Sequence, residues 1–151
     1  MSDFHVKIGD EVEFAKTIGE TDVYLFAGIT GDMSVNHVNE AFMAGTSYGR
    51  RIAHGALLIG FMSTASTLMT HKTDSVSKEE TPVSLGYDRI RFLAPVFFGD
   101  TITVRYRIAE IDPVRRRSLS DIEVTNQRGE LVSVAQHILK WVPNRERAAA
   151  E

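Results

Sequence analysis

The stretch Ala56-Leu57-Leu58-Ile59-Gly60-Phe61-Met62-Ser63-Thr64-Ala65-Ser66-Thr67-Leu68-Met69 decides how the rest of the chain is read. Leu57, Leu58, Ile59, Phe61, Met62, Leu68 and Met69 place apolar side chains at nearly every turn, and small residues fill the gaps. A helix that is apolar nearly all round has to be buried on most of its sides. His54-Gly55 marks its start, and the polar run His71 to Glu80 marks its end.

C-terminal to this helix the pattern changes. After Pro82 the periodicity becomes two, and β-branched and aromatic residues increase. Strands are expected over 83–92, 100–111, 117–126 and 131–142, separated by the turn signals Gly99-Asp100, Asp112-Pro113 and Gln127-Arg128-Gly129. Four successive strands after a buried helix suggest an antiparallel meander wrapped around it. N-terminal to the helix, residues 6–14 read as a turn at Gly9-Asp10 with a short alternating strand. Thr21-Asp22 reads as a helix start, with Thr21 as the cap and Asp22 on the positive end of the helix dipole, and the helix stops near Gly28 or Gly31. A second short helix is expected over 38–48, ending near Gly49. Strands segregated from helices indicate an α+β fold.

The 151 residues suit one domain, taken as 1–144, with 145–151 (Arg-Glu-Arg-Ala-Ala-Ala-Glu) as a flexible C-terminal tail. With 43% apolar and 25% charged residues, the composition is that of an ordinary globular domain. The net charge of −3 argues against a nucleic-acid partner. The absence of cysteine removes disulfides, thiolate metal sites and a cysteine nucleophile. No apolar run approaches the roughly 20 residues needed to span a bilayer. A cytoplasmic protein with no membrane association is therefore expected.

The chemistry-bearing residues cluster just before the long helix. Thr30-Gly31-Asp32-Met33-Ser34-Val35-Asn36-His37 carries an acid and an imidazole five residues apart, and Arg51-Ile52-Ala53-His54-Gly55 follows. Taken singly, each has a plainer reading. Gly31-Asp32 suits a tight turn, with Asp32 as a cap. His37 suits a surface or satisfied core position, and His54 suits a structural bond to backbone near the helix start. Gly55 divides evenly between packing and a role at the helix N-terminus, and Ser63 suits small-residue packing. His5, His71 and His137 do not cluster as metal ligands, and no metal motif is present. His137 is expected to face outward from its strand. Arg115-Arg116-Arg117 reads as a solvated hairpin tip, or alternatively as a site for phosphate oxygens.

Taken together the pieces carry a resemblance. The element order resembles the hot-dog fold, in which a curved antiparallel sheet wraps a long central helix. Tyr24-Leu25-Phe26-Ala27-Gly28-Ile29-Thr30-Gly31-Asp32 with His37, the Arg51 to Leu58 helix start, and Phe92-Leu93-Ala94-Pro95-Val96-Phe97-Phe98-Gly99-Asp100 are similar to the MaoC-like family, which includes the R-specific enoyl-CoA hydratases. The chain departs from that family between the acid and the histidine. Ser34-Val35-Asn36 stands where the family has Asn-Pro and an aliphatic residue.

The resemblance implies reversible hydration of a 2-enoyl-CoA to an (R)-3-hydroxyacyl-CoA. Asp32 is then the base toward water and His37 its partner, because a carboxylate and an imidazole sharing one water can manage both proton transfers. Gly55 N–H becomes the oxyanion donor, with Ser34, Ser63 and His54 in supporting or substrate-binding roles. No cofactor is implied beyond the coenzyme A of the substrate, and acyl carrier protein is an alternative carrier. The implied assembly is a homodimer. Two other readings stay open: a hot-dog acyl-CoA thioesterase, and a non-catalytic acyl-CoA-binding subunit.

Overall fold

The strands read from the alternating segments form one five-stranded antiparallel sheet. The computed structural model describes residues 4–74 and 79–145. The elements are β1 (Glu11–Thr17), α1 (Glu20–Thr30), α2 (Val35–Val38), α3 (Glu40–Ala44), α4 (Gly55–Lys72), β2 (Glu80–Phe92), β3 (Thr101–Asp112), β4 (Arg117–Thr125) and β5 (Leu131–Pro143). This is the expected α+β arrangement, with the sheet set around the long helix. The expected tail lies outside the described residues from 146 onward.

The sheet order β1-β3-β4-β5-β2 corrects the expected meander. Only β3, β4 and β5 are joined as successive neighbours. β2 does not pair with β3 but crosses to the far edge and pairs with β5, from Glu80↔Pro143 to Phe92↔Ser133. The connection over 93–100 is too long for a tight hairpin. It passes over the end of the sheet, tied by Leu93 N–H to Val132 O and by Ala53 N–H to Val96 O. Pro82 is tolerated inside β2 because β2 is an edge strand.

α4 packs against β1 and β3. Leu58, Met62, Ala65 and Met69, at helical spacing, join Val104, Tyr106, Ile108, Ile122, Val124, Leu139 and Trp141 in the core. Burying a side chain of the size of Met62 or Met69 contributes about 1.5–3 kcal/mol. The helix is not enclosed on every side, however. Ala56, Gly60, Ser63 and Thr67 form a stripe that stays exposed in this chain.

The segments before α4 differ from expectation in their boundaries. α1 starts one residue before Thr21, with Gly19 at the cap position, because the Asp22 carboxylate accepts from Gly19 N–H at 2.8 Å and so does the work of a cap. It ends at Gly31, whose φ of 80° is the left-handed conformation that glycine adopts without strain. The single helix expected over 38–48 is instead two short ones. Asn39 breaks the run with extended backbone, and its side chain accepts from Phe42 N–H at 3.0 Å to start α3.

Candidate active site

The α1 stop at Gly31 throws the chain into a loop that places Asp32 beside the start of α4. Ser34 N–H donates to Asp32 Oδ1 at 3.3 Å, and Asp32 N–H donates to Thr30 Oγ1 at 3.2 Å. The backbone of Ser34 does the holding, and its hydroxyl makes no capping bond. The Asp32 carboxylate is about half exposed.

His37 sits on the short helix α2 and is buried. Residues 51–54 fasten it. Ile52 N–H donates to Asn36 O at 3.0 Å, and His37 Nδ1 lies 2.8 Å from Ile52 O. A carbonyl can only accept, so Nδ1 carries the proton and Nε2 is left with its lone pair. Burial pushes His37 below the ordinary imidazole range, and the nearby charge of His54 adds to that shift. The Ile52 bond and the Asp32 carboxylate oppose it. The ring is therefore neutral at pH 7, as a base requires.

His54 stands at the cap position of α4, 1% exposed. Its Nε2 donates to the Asp32 carbonyl at 3.0 Å, and its ring stacks on His37 with centroids 3.7 Å apart and planes at 29°. The expected bond from His54 to backbone thus exists, but it reaches into the Asp32 loop rather than staying at the helix start. Ligand atoms of Asp32, His37 and His54 all lie within 4.8 Å of one another, which makes them the residues that could hold a metal. The geometry is poor for it. One nitrogen of each ring is already engaged with a carbonyl, and imidazole lone pairs lie in the ring planes, so stacked rings direct them side by side rather than at one ion.

A cavity of about 350 Å³ opens at this cluster, lined by Asn36, His37, His54, Gly55, Leu58 and Phe92 among others. Gly55 begins α4, so its N–H belongs to the first turn, where donors have no helical partner. A Cβ on Gly55 would lie 2.8 Å from the Phe92 ring, so the glycine is required for that ring to rest where it does.

The structure thus brings Asp32, Ser34, His37, His54 and Gly55 together. Ser63 does not join them. It lies eight residues along α4 from Gly55, a rise of about 12 Å, and lines a separate small cavity with Ser66, Thr67, Thr70, Ser84 and His137. The arginine run is also remote. Arg115 pairs with Asp112, and Arg116 pairs with Glu80, whose carboxyl it holds down at about 2, at the end of β2 opposite Phe92. Two contributors fell within the quoted 51–58 segment but were given no role from sequence: the Ile52 carbonyl that sets the His37 tautomer, and Arg51. The Arg51 guanidinium reaches Glu20, Tyr24 and Glu40 at 2.6–2.8 Å and ties α1 to α3 beside the site.

A MaoC like domain profile matches residues 3–129. The chain is 33% identical over 111 residues to an (R)-specific enoyl-CoA hydratase of Rhodospirillum rubrum, covering 74% of this chain and 72% of that protein. It is 35% identical over 133 residues to a 3-hydroxybutyryl-CoA dehydratase of Methylorubrum extorquens, covering 88% and 78%. Among solved structures, the (R)-hydratase from A. caviae involved in PHA biosynthesis superposes with a TM-score of 0.77 at 25% identity, covering 89% of this chain and 96% of that one.

Proposed function

This chain belongs to the MaoC-like domain family, and on that premise we propose that it is a hydro-lyase that reversibly hydrates a 2-enoyl-CoA to an (R)-3-hydroxyacyl-CoA. The observation that supports the reading is the clustering of Asp32, His37 and His54 within 4.8 Å, with His37, His54 and Gly55 lining one cavity, in a chain similar to an (R)-specific enoyl-CoA hydratase and a 3-hydroxybutyryl-CoA dehydratase.

Water held between the Asp32 carboxylate and His37 Nε2 loses a proton to the pair as its oxygen bonds to C3. The C2–C3 π electrons move onto the thioester, whose oxygen becomes an enolate. C2 then takes a proton back from the pair, so water is added with no net proton change. Gly55 N–H, at the positive end of α4, is placed to receive the enolate charge. Every step is proton transfer or addition, so no cofactor is needed beyond the coenzyme A that the substrate brings. An acyl carrier protein could present the same thioester. No described helix is long and apolar enough to cross a membrane, and a cytoplasmic setting is part of the same reading.

Asp32→Asn is the test. With an enoyl-CoA panel, loss of the enoyl thioester absorbance without thiol release is expected for the natural chain. The variant is expected to lose roughly 10²–10⁴-fold in kcat. Release of free thiol would instead make the enzyme a thioesterase. Turnover unchanged by the substitution would remove Asp32 from the mechanism.

A further inference from the structure

We infer that His54 is a positioning residue for the acid–base pair, fixing Asp32 through its Nε2–H and His37 through the face of its ring; this rests on the hydratase reading above. The cap position of a helix ordinarily holds Ser, Thr, Asn or Asp, whose side chain satisfies a free N–H of the first turn. His54 occupies that position and makes no such bond. Its side chain turns away from the helix and into the loop instead.

Three contacts define what it does there. Nε2 holds the Asp32 carbonyl at 3.0 Å, which ties a loop residue with a half-exposed side chain to the rigid start of α4. The ring supports His37 face to face at 3.7 Å. Phe26 of α1 backs the same ring at 4.7 Å, so His54 cannot swing aside. Nδ1 is buried with no hydrogen-bond partner, a cost that packing alone would avoid by using an apolar ring. Among the described residues, His54 and then Asp32 are the titratable groups whose charges act on His37, so exchanging His54 alters the electrostatics of the pair as well as its geometry.

Two substitutions separate the contacts. His54→Phe keeps the stacking face and loses the donor, whereas His54→Gln keeps an N–H and loses the ring. Each is measured for kcat and KM on an enoyl-CoA, for its pH–rate profile, and for the titration of the His37 ring protons by NMR, which needs no substrate. His54→Phe is expected to lower kcat by at least tenfold with KM within about twofold, in line with the cost of a small misplacement of reacting groups. His54→Gln is expected to recover part of the loss. In both, His37 is expected to titrate at higher pH, and the acid limb of the rate profile to move with it. The inference is overturned if kcat stays within twofold, or if the His37 titration does not move while activity falls only in step with thermal stability. A natural chain that hydrates no enoyl thioester would instead overturn the proposed function, and the NMR titration would still judge His54.

Discussion

At position 55 the absence of a side chain matters for a neighbour as much as for a substrate. The Phe92 ring lies where a Cβ would go, at 2.8 Å, and that ring also walls the cavity. Gly55→Ala leaves the N–H in place, so it tests space and not the donor. The ring is the half-exposed end of a flexible side chain, and the chain should fold. The cavity wall should shift, lowering kcat/KM about tenfold, or ~1.4 kcal/mol of transition-state stabilisation. Adding Phe92→Ala should recover most of that loss in the same assay. If the double variant stays as slow as the single one, crowding by Phe92 is not the reason for the glycine. At this scale the sequence showed the acid, the imidazole and their five-residue spacing. The state of His37 was not legible, because the Ile52 carbonyl that decides it comes from backbone fifteen residues away.

Strand β5 shows how phase along an element can be misread. His137 was expected to face outward, yet it is 0% exposed. It shares its phase with Ala135, Leu139 and Trp141, all inward, and that alternation was present in the sequence. Its Nδ1 bonds Tyr106 Oη and its Nε2 bonds Ser84 Oγ, both at 2.8 Å, so the buried ring is satisfied. Burial pushes it down to about 4 from an ordinary 6.5. The consequence is a pH-dependent stability. Above about pH 6.5 the ring is neutral folded or unfolded, and its contribution is complete. As pH falls toward 4, only the unfolded chain gains the proton, so stability drops by on the order of 3 kcal/mol. His37, also lowered, adds to the same trend. Urea midpoints between pH 7 and 4.5 should fall with acid in the natural chain and fall less steeply in His137→Gln. Parallel slopes would show that other groups dominate.

For the whole molecule, the unpaired edge of β2 and the open side of α4 point the same way. β2 runs thirteen residues along the sheet edge, and Val83, Leu85 and Phe92 on it are 37–51% exposed. An edge of that length and apolarity is ordinarily covered or paired. The exposed stripe Ala56, Gly60, Ser63 and Thr67 on α4 has side chains small enough for a close approach. We propose that a second copy pairs there, sheet edge to sheet edge, which gives a closed twofold assembly. Sedimentation equilibrium should return twice the chain's 16.8 kDa, with Leu85→Arg shifting it toward the single chain. A natural chain that sediments as a monomer at assay concentration would exclude this pairing.

The apolar density over 56–69 and the alternation after Pro82 determined the α+β class, because hydrophobic periodicity is a local property of the chain. The spacing of Asp32 and His37 likewise announced the candidate pair. Tertiary structure alone decided that β2 crosses to the far edge, since strand order depends on which partners meet and not on any pattern within a strand. It also decided that His54 links Asp32 to His37 while Ser63 lies elsewhere. Those relations are contacts across 22 and 17 residues of sequence, set by how the loop folds over the start of α4.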